Sequence, residues 1–236
     1  MPQQNLSSHE NASHMSLIPP QPIPAGAQEF ADRVRGLLDG QQKDDATVAK
    51  AFEGMDAMID LIAAGLYTIA SMLVGEGEES VRLVETAVAN TEVASSSDAT
   101  VARRSSRLAL CEAALEHLAG RDAKSLAAPE GLEHAVTCIE DDDLDAAGVS
   151  RAEFDRIMAG PGRGRVRTWL AGLPVAMRTI FVLRAVAGFT AAETAAMFVS
   201  HGGPAAAGWT PDAVRELFRQ GLCSLASQLI QASSRA

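Results

Sequence analysis

Residues 173–220 read LPVAMRTIFVLRAVAGFTAAETAAMFVSHGGPAAAGWTPDAVRELFRQ, and the punctuation of this stretch decides the fold. Pro174 opens a helix whose apolar side is supplied by Val175, Ile180, Phe181, Leu183 and Val186, and Gly188 closes it. Thr190-x-x-Glu193 then reads as a capping box. The threonine hydroxyl accepts from the backbone amide three residues on, while Glu193 reaches back to the first amide. Ala191, Ala192, Ala195 and Ala196 make the next helix slim as far as Met197 or Phe198, so a neighbouring helix can approach it closely. An irregular glycine- and alanine-rich connection, 199–209, follows. Thr210-Pro211-Asp212 combines an N-cap, a first-turn proline and a first-turn acid, which together start a final helix. Val214, Leu217, Phe218, Leu222, Leu225 and Leu229 line one side of that helix, leaving Asp212, Ala213, Arg215, Glu216, Arg219 and Gln220 on the other. A helix, a connection and a capped helix with outward arginines form the pattern of a helix-turn-helix, whose second helix matches the width of the DNA major groove.

The same periodicity extends upstream. A short amphipathic helix is expected over 28–39, carrying Phe30, Val34, Leu37 and Leu38. Val48, Phe52, Met55, Ile59, Ile62, Leu66, Ile69 and Leu73 then recur at steps of three or four across 46–74, with Gly54 and Gly65 as weak points. Gly75 and Gly77 mark a stop before a helix over 80–93 with Val81, Val84 and Val88 on one side. After the polar run 95–98, a helix over 100–120 presents Leu108, Cys111, Leu115 and Leu118 to a core. Arg103, Arg104 and Arg107 at its start read as a solvated face. The acidic run Glu140-Asp141-Asp142-Asp143 repels itself, which favours an extended or solvent-facing segment. Flexible, cationic Gly160-Pro161-Gly162-Arg163-Gly164-Arg165 closes that linker, and a helix over 166–170 follows.

Composition agrees with helices throughout. Aromatic residues make up only 4% of the 236-residue chain and alanine is abundant, a balance that disfavours sheets. A hydrophobic share of 47% against 21% charged excludes wholesale disorder, and the lack of an 18-residue uncharged apolar run excludes a membrane-spanning helix. The expected fold is all-α. It comprises a disordered tail (1–27), a helical domain (28–120), an acidic and glycine-rich linker (121–164) and a helix-turn-helix domain (165–236). Charge is divided unevenly: residues 160–236 hold eight arginines against three acids, a balance of +5, which leaves −15 on the rest of a chain whose total is −10. Such halves suit different partners, or each other.

Cys111, Cys138 and Cys223 are odd in number and far apart, so they read as free, buried, small apolar residues in a reducing cytoplasm, with no disulfide. The acidic run lacks the central glycine and distal glutamate of a calcium loop, and no Gly-Lys-Ser/Thr phosphate loop is present. No cofactor or metal is expected. His117, His134 and His201 stand beside no nucleophile at recognisable spacing, so no catalytic residue is expected either.

Leu173-Pro174, Arg178, Phe181-Val182-Leu183-Arg184 and Gly188-Phe189-Thr190-Ala191-Ala192-Glu193-Thr194-Ala195 together resemble the fourth region of bacterial RNA polymerase sigma factors, in the extracytoplasmic-function group of the sigma-70 family. Thr210 through Val214 and Arg215 resemble the start of that region's recognition helix. A weaker likeness to the second region runs through Phe52, Leu66-Tyr67, Ala70, Leu73 and Leu83-Val84, and the two stretches cover about half the chain. The resemblance implies a cytoplasmic transcription-initiation subunit. In it Leu73, Leu83, Val84 and Glu85 would meet the RNA polymerase core. Thr210, Ala213, Arg215, Glu216, Arg219 and Gln220, helped by Arg178 and Arg184, would meet promoter DNA. An anti-sigma or other regulatory protein is a further candidate partner; a membrane is not. The family joins its two motif helices by a very short turn, whereas eleven residues separate Phe198 from Thr210 here, and Asp212 and Glu216 place acids where phosphate would lie. These departures support an alternative: a diverged sigma-like module that binds proteins, as adaptor or regulator trap, without DNA binding of its own.

Overall fold

A computed structural model describes residues 62–91, 99–132 and 138–233. The tail, the 28–39 helix, the first half of the 46–74 stripe, the 95–98 break and His134 lie outside the described residues. Every regular element among the described residues is helical. They comprise α1 (62–74), α2 (Glu78–Ala89), α3 (Ala99–Arg121), α4 (Arg151–Ala159), α5 (Arg163–Ala171), α6 (Val175–Phe181), α7 (Ala191–His201) and α8 (Pro211–Ser233). A π-helical turn, Val182–Ala187, prolongs α6, and 3-10 turns lie at Asp145–Ala147 and Pro204–Ala206.

Helix α1 buries Ile62, Leu66, Ile69 and Leu73 as the stripe requires, and Gly65 sits inside it without breaking it. Helix α2 packs on α3, which in turn packs on α7. The buried stripe of α3 runs through Leu110, Cys111, Ala114, Leu115 and Leu118. Leu108, expected in the core, is 38% exposed, because the face that meets α2 and α7 is rotated past it. Of the three arginines at the start of α3, Arg104 and Arg107 are likewise not simply a solvated face. Arg104 pairs with Glu193 and lies 5.7 Å over the Phe189 ring, and Arg107 reaches the Ala187 carbonyl, so these arginines tie α3 to the α6–α7 corner.

Helices α6 and α7 both pack on α8. Phe181, fully buried, sits at the centre of an aromatic cluster with Trp169 (4.9 Å between centroids), Phe218 (5.5 Å) and Phe154 (6.1 Å). Such edge and tilted arrangements add roughly 0.5–1.5 kcal/mol each to plain burial. Gly221 makes the packing possible, since a Cβ there would lie 3.1 Å from the Phe181 ring. The predicted box at Thr190 forms with both of its hydrogen bonds, and Gly188 ends the π turn at φ 82°, a left-handed position that favours glycine.

The acidic segment is folded rather than extended. Ile139, Leu144, Ala147, Val149 and Phe154 are buried, and a capping box between Ser150 and Glu153 starts α4. Self-repulsion is relieved by geometry: Glu140, Asp141 and Asp143 point to solvent while Ile139 before them and Leu144 after them point inward. The connection between α7 and α8 is folded as well. Trp209 is 4% exposed, meets Phe198 edge-on with ring centroids 5.1 Å apart and donates its indole N–H to the Leu126 carbonyl at 2.7 Å. Buried residues from 62 to 225 form one connected core.

The expectation of three free cysteines is overturned. Cys138 and Cys223 form a disulfide, with Cα atoms 5.8 Å apart, inside the span that such a bridge requires. The two are 85 residues apart in sequence, so only the tertiary fold brings them together. Cys111 alone is free and buried, as expected, and burial pushes its thiol up to about 12.

Candidate nucleic-acid interface

The start of α8 is built as its sequence demands: the Thr210 hydroxyl accepts from the Ala213 amide at 3.1 Å, and Pro211 takes the first helical position. Its apolar side, Val214, Leu217, Phe218, Leu222 and Leu225, is buried against α6 and α7. This fixes which way the polar side faces. Asp212 and Arg215 are exposed and paired with each other. Ala213 packs against the core, and Gln220 is half-buried.

That polar side is not bare. Residues 138–144 cross it as a strap. Arg219 donates to the Glu140 carbonyl at 3.0 Å and pairs with Glu216 on its own helix at 2.5 Å. Arg215 Nε lies 4.0 Å from the Asp142 carboxylate. Arg184, on the π turn, donates to the Asp142 carbonyl at 2.9 Å, to its carboxylate at 2.7 Å and to the Phe189 carbonyl at 3.2 Å, and its guanidinium stacks 5.0 Å over the Phe218 ring. Its side chain is 16% exposed. One carboxylate therefore faces two arginines: it is hydrogen-bonded to the largely buried Arg184, where a charge-assisted bond counts, and lies near the more exposed Arg215. Glu216, read from the sequence as an outward acid, is turned inward at 16% exposure and partners Arg219.

Arg178 lies apart, on α6, half-buried, with its Nε buried and without an acceptor. Desolvation lowers its pKa, and the neighbouring Arg121 guanidinium lowers it further. Leu73, Leu83 and Val84, expected to face a polymerase, are buried in the core, and Glu85 is half-buried beside them. In this conformation they shape α1 and α2 rather than present a surface.

The structure thus gathers Arg184, Arg215, Arg219, Thr210 and Glu216 around the first half of α8 and leaves Arg178, Leu73 on α1 and the α2 residues elsewhere. Sequence reasoning misses Asp142 and the cysteine pair. The one signal for Asp142 is the sign of its acidic run, opposite to that of the arginine-rich end. Among the described residues no group of three His, Cys, Asp or Glu side chains could hold a metal ion, and no helix is long and apolar enough to cross a membrane. Known proteins add no constraint: no family model, no curated protein and no solved structure matches the chain.

Proposed function

We propose that this chain is a sigma-like transcription-initiation protein of the cytoplasm. It joins the RNA polymerase core through the helices of 28–120 and reaches promoter DNA through α8, with 121–164 as the connection between the two modules. The observation that carries this reading is the orientation of α8. Its apolar side is locked against α6 by the Phe181 cluster and packs on α7, and Arg215 and Arg219 stand together on the opposite flank behind a correctly capped N-terminus. Arginines so placed suit guanine edges or phosphates in a major groove.

The strap favours a second reading. With Arg219 and Arg184 engaged by residues 140–142, the closed molecule offers less cationic surface than its sequence suggests, as a protein-binding module without DNA affinity would. Anisotropy with a labelled promoter-length duplex, measured across a salt series, separates the two. On the promoter reading, replacing Arg215 and Arg219 together by alanine weakens binding and flattens its salt dependence by about one unit for each phosphate no longer neutralised. A wild-type chain with no duplex affinity that still captures the polymerase core would establish the adaptor reading instead.

A further inference from the structure

We propose that the Cys138–Cys223 disulfide is a redox latch that holds the acidic strap over the arginine side of α8, and that its reduction opens that side to a polyanion. The inference rests on the DNA-binding reading of α8 and adds its regulation.

Three observations converge on the latch. First, the bridge joins the first residue of the strap to the middle of α8, and the Cys138 amide donates to Cys223 Sγ at 2.9 Å, so the strap begins at the bond itself. Second, within the next four residues the strap meets Arg219 through the Glu140 carbonyl, and Arg184 and Arg215 through Asp142. These are the arginines that the sequence assigns to nucleic acid. Third, Cys138 is exposed and Cys223 half-buried, so an external thiolate has access to the bond. Structural disulfides resist reduction, whereas exposed ones are the labile class, and in a reducing compartment a disulfide that forms at all is usually transient or sensing. Cys111, buried and with its pKa raised, takes no part.

The chemistry balances with a dithiol as reductant. Its thiolate attacks the exposed Cys138 sulfur, forming a mixed disulfide and expelling the Cys223 thiolate, which takes up a proton. The second thiol of the reductant then closes on the first, releasing Cys138 as a thiol. Two electrons and two protons pass to the protein, and the dithiol leaves as a cyclic disulfide. Without the covalent pin, the strap is held by the buried side chains of Ile139 and Leu144 and by the arginine contacts to the Glu140 carbonyl and to Asp142, and phosphates can replace those arginine contacts.

The test uses the full chain, oxidised or treated with dithiothreitol, with two probes and one structural readout. Hydrogen exchange should rise on reduction in residues 138–145 while α3 and α6 stay protected. Affinity for heparin, a sequence-blind polyanion, should rise about tenfold, as expected if the open fraction climbs from about one in ten to nearly all. Cys138→Ser should bind heparin tightly with or without dithiothreitol, and Asp142→Asn should gain affinity even when oxidised. Unchanged heparin affinity and strap exchange on reduction would overturn the latch, as would loss of protection throughout the chain. A labelled duplex, run in parallel, reports on the promoter reading separately. Strap release with heparin binding but no duplex binding keeps the latch and removes DNA as its ligand, whereas duplex binding equal in both redox states keeps DNA and removes the latch.

Discussion

Replacing Trp209 by phenylalanine tests whether the long connection between α7 and α8 is a structural anchor or a tolerated insertion. The substitution keeps an aromatic ring against Phe198 but removes the indole N–H that donates to the Leu126 carbonyl at 2.7 Å, and Leu126 is fully buried. An acceptor stranded in that position costs about 1–3 kcal/mol. The smaller ring leaves a void worth about another 1 kcal/mol. The expected total is about 2–4 kcal/mol. For a chain of this size a urea slope of about 2–3 kcal/mol/M converts this to a midpoint lower by roughly 1 M. Urea titration followed by far-ultraviolet circular dichroism, with the disulfide intact, reads the shift without relying on tryptophan emission. Trp209→Ala should cost more, about 3–5 kcal/mol. A midpoint within about 0.2 M of wild type for Trp209→Phe would refute the anchor, since an exposed loop residue would behave that way. The mutual angle of α7 and α8 would then rest on their direct packing alone.

Gly188→Ala should lower stability by about 1 kcal/mol, a few degrees in thermal midpoint, because φ is 82° at the end of the π turn and open space does not remove the backbone strain. Glu193→Ala should cost about 1 kcal/mol at neutral pH through loss of the capping box. The Thr190 amide, then the Thr190 hydroxyl and Arg104, hold the Glu193 carboxyl below its ordinary 4.5, so its contribution is complete above that pH and fades as pH falls through the lowered value. The gap between wild type and Glu193→Ala in denaturation midpoints should therefore close under acid, and a gap that stays constant well below the ordinary carboxylate range would contradict the assignment. Iodoacetamide at neutral pH should label no cysteine in the oxidised native chain, Cys138 and Cys223 after reduction, and Cys111 only after unfolding, as mass spectrometry would count.

What the sequence discloses and what it conceals divide along the range of the interactions concerned. The Thr190–Glu193 box, the Thr210-Pro211 start and the Gly188 stop involve partners within a few residues, and each appears as read. Leu108 and Leu110 both fit a helical stripe, and only the placement of α2 and α7 chooses Leu110. Linker-like composition at 140–143 conceals a fold because repulsion among neighbours is visible in sequence, whereas Arg184 and Arg215, which pair with Asp142, lie 42 and 73 residues away. The cysteine pair, 85 residues apart, has no local signature at all. Trp209 offers one hint, an aromatic residue in a glycine- and alanine-rich connection where a flexible loop has no use for one.

Electrostatics limit how far α8 can act by itself. Each phosphate neutralised on duplex DNA adds about −0.9 to the salt slope, and well-anchored proteins engage about six to ten. Arg184 is withdrawn beneath the strap and stacked on Phe218, so even an open strap offers Arg215 and Arg219, with exposed Arg163 and Arg165 on α5 as further cations. Neutralising about four phosphates gives a slope of about −3.6, so affinity would fall roughly 150-fold between about 50 and 200 mM salt. The −15 carried by residues 1–159 opposes approach further. A protein built this way gains specific occupancy of DNA only when another interaction holds it nearby, because tethering replaces a weak bimolecular step by an intramolecular one at high effective concentration. The acidic half is then consistent with the promoter reading: on that reading it would suppress free binding to bulk DNA and leave α8 effective only where a partner had already delivered it.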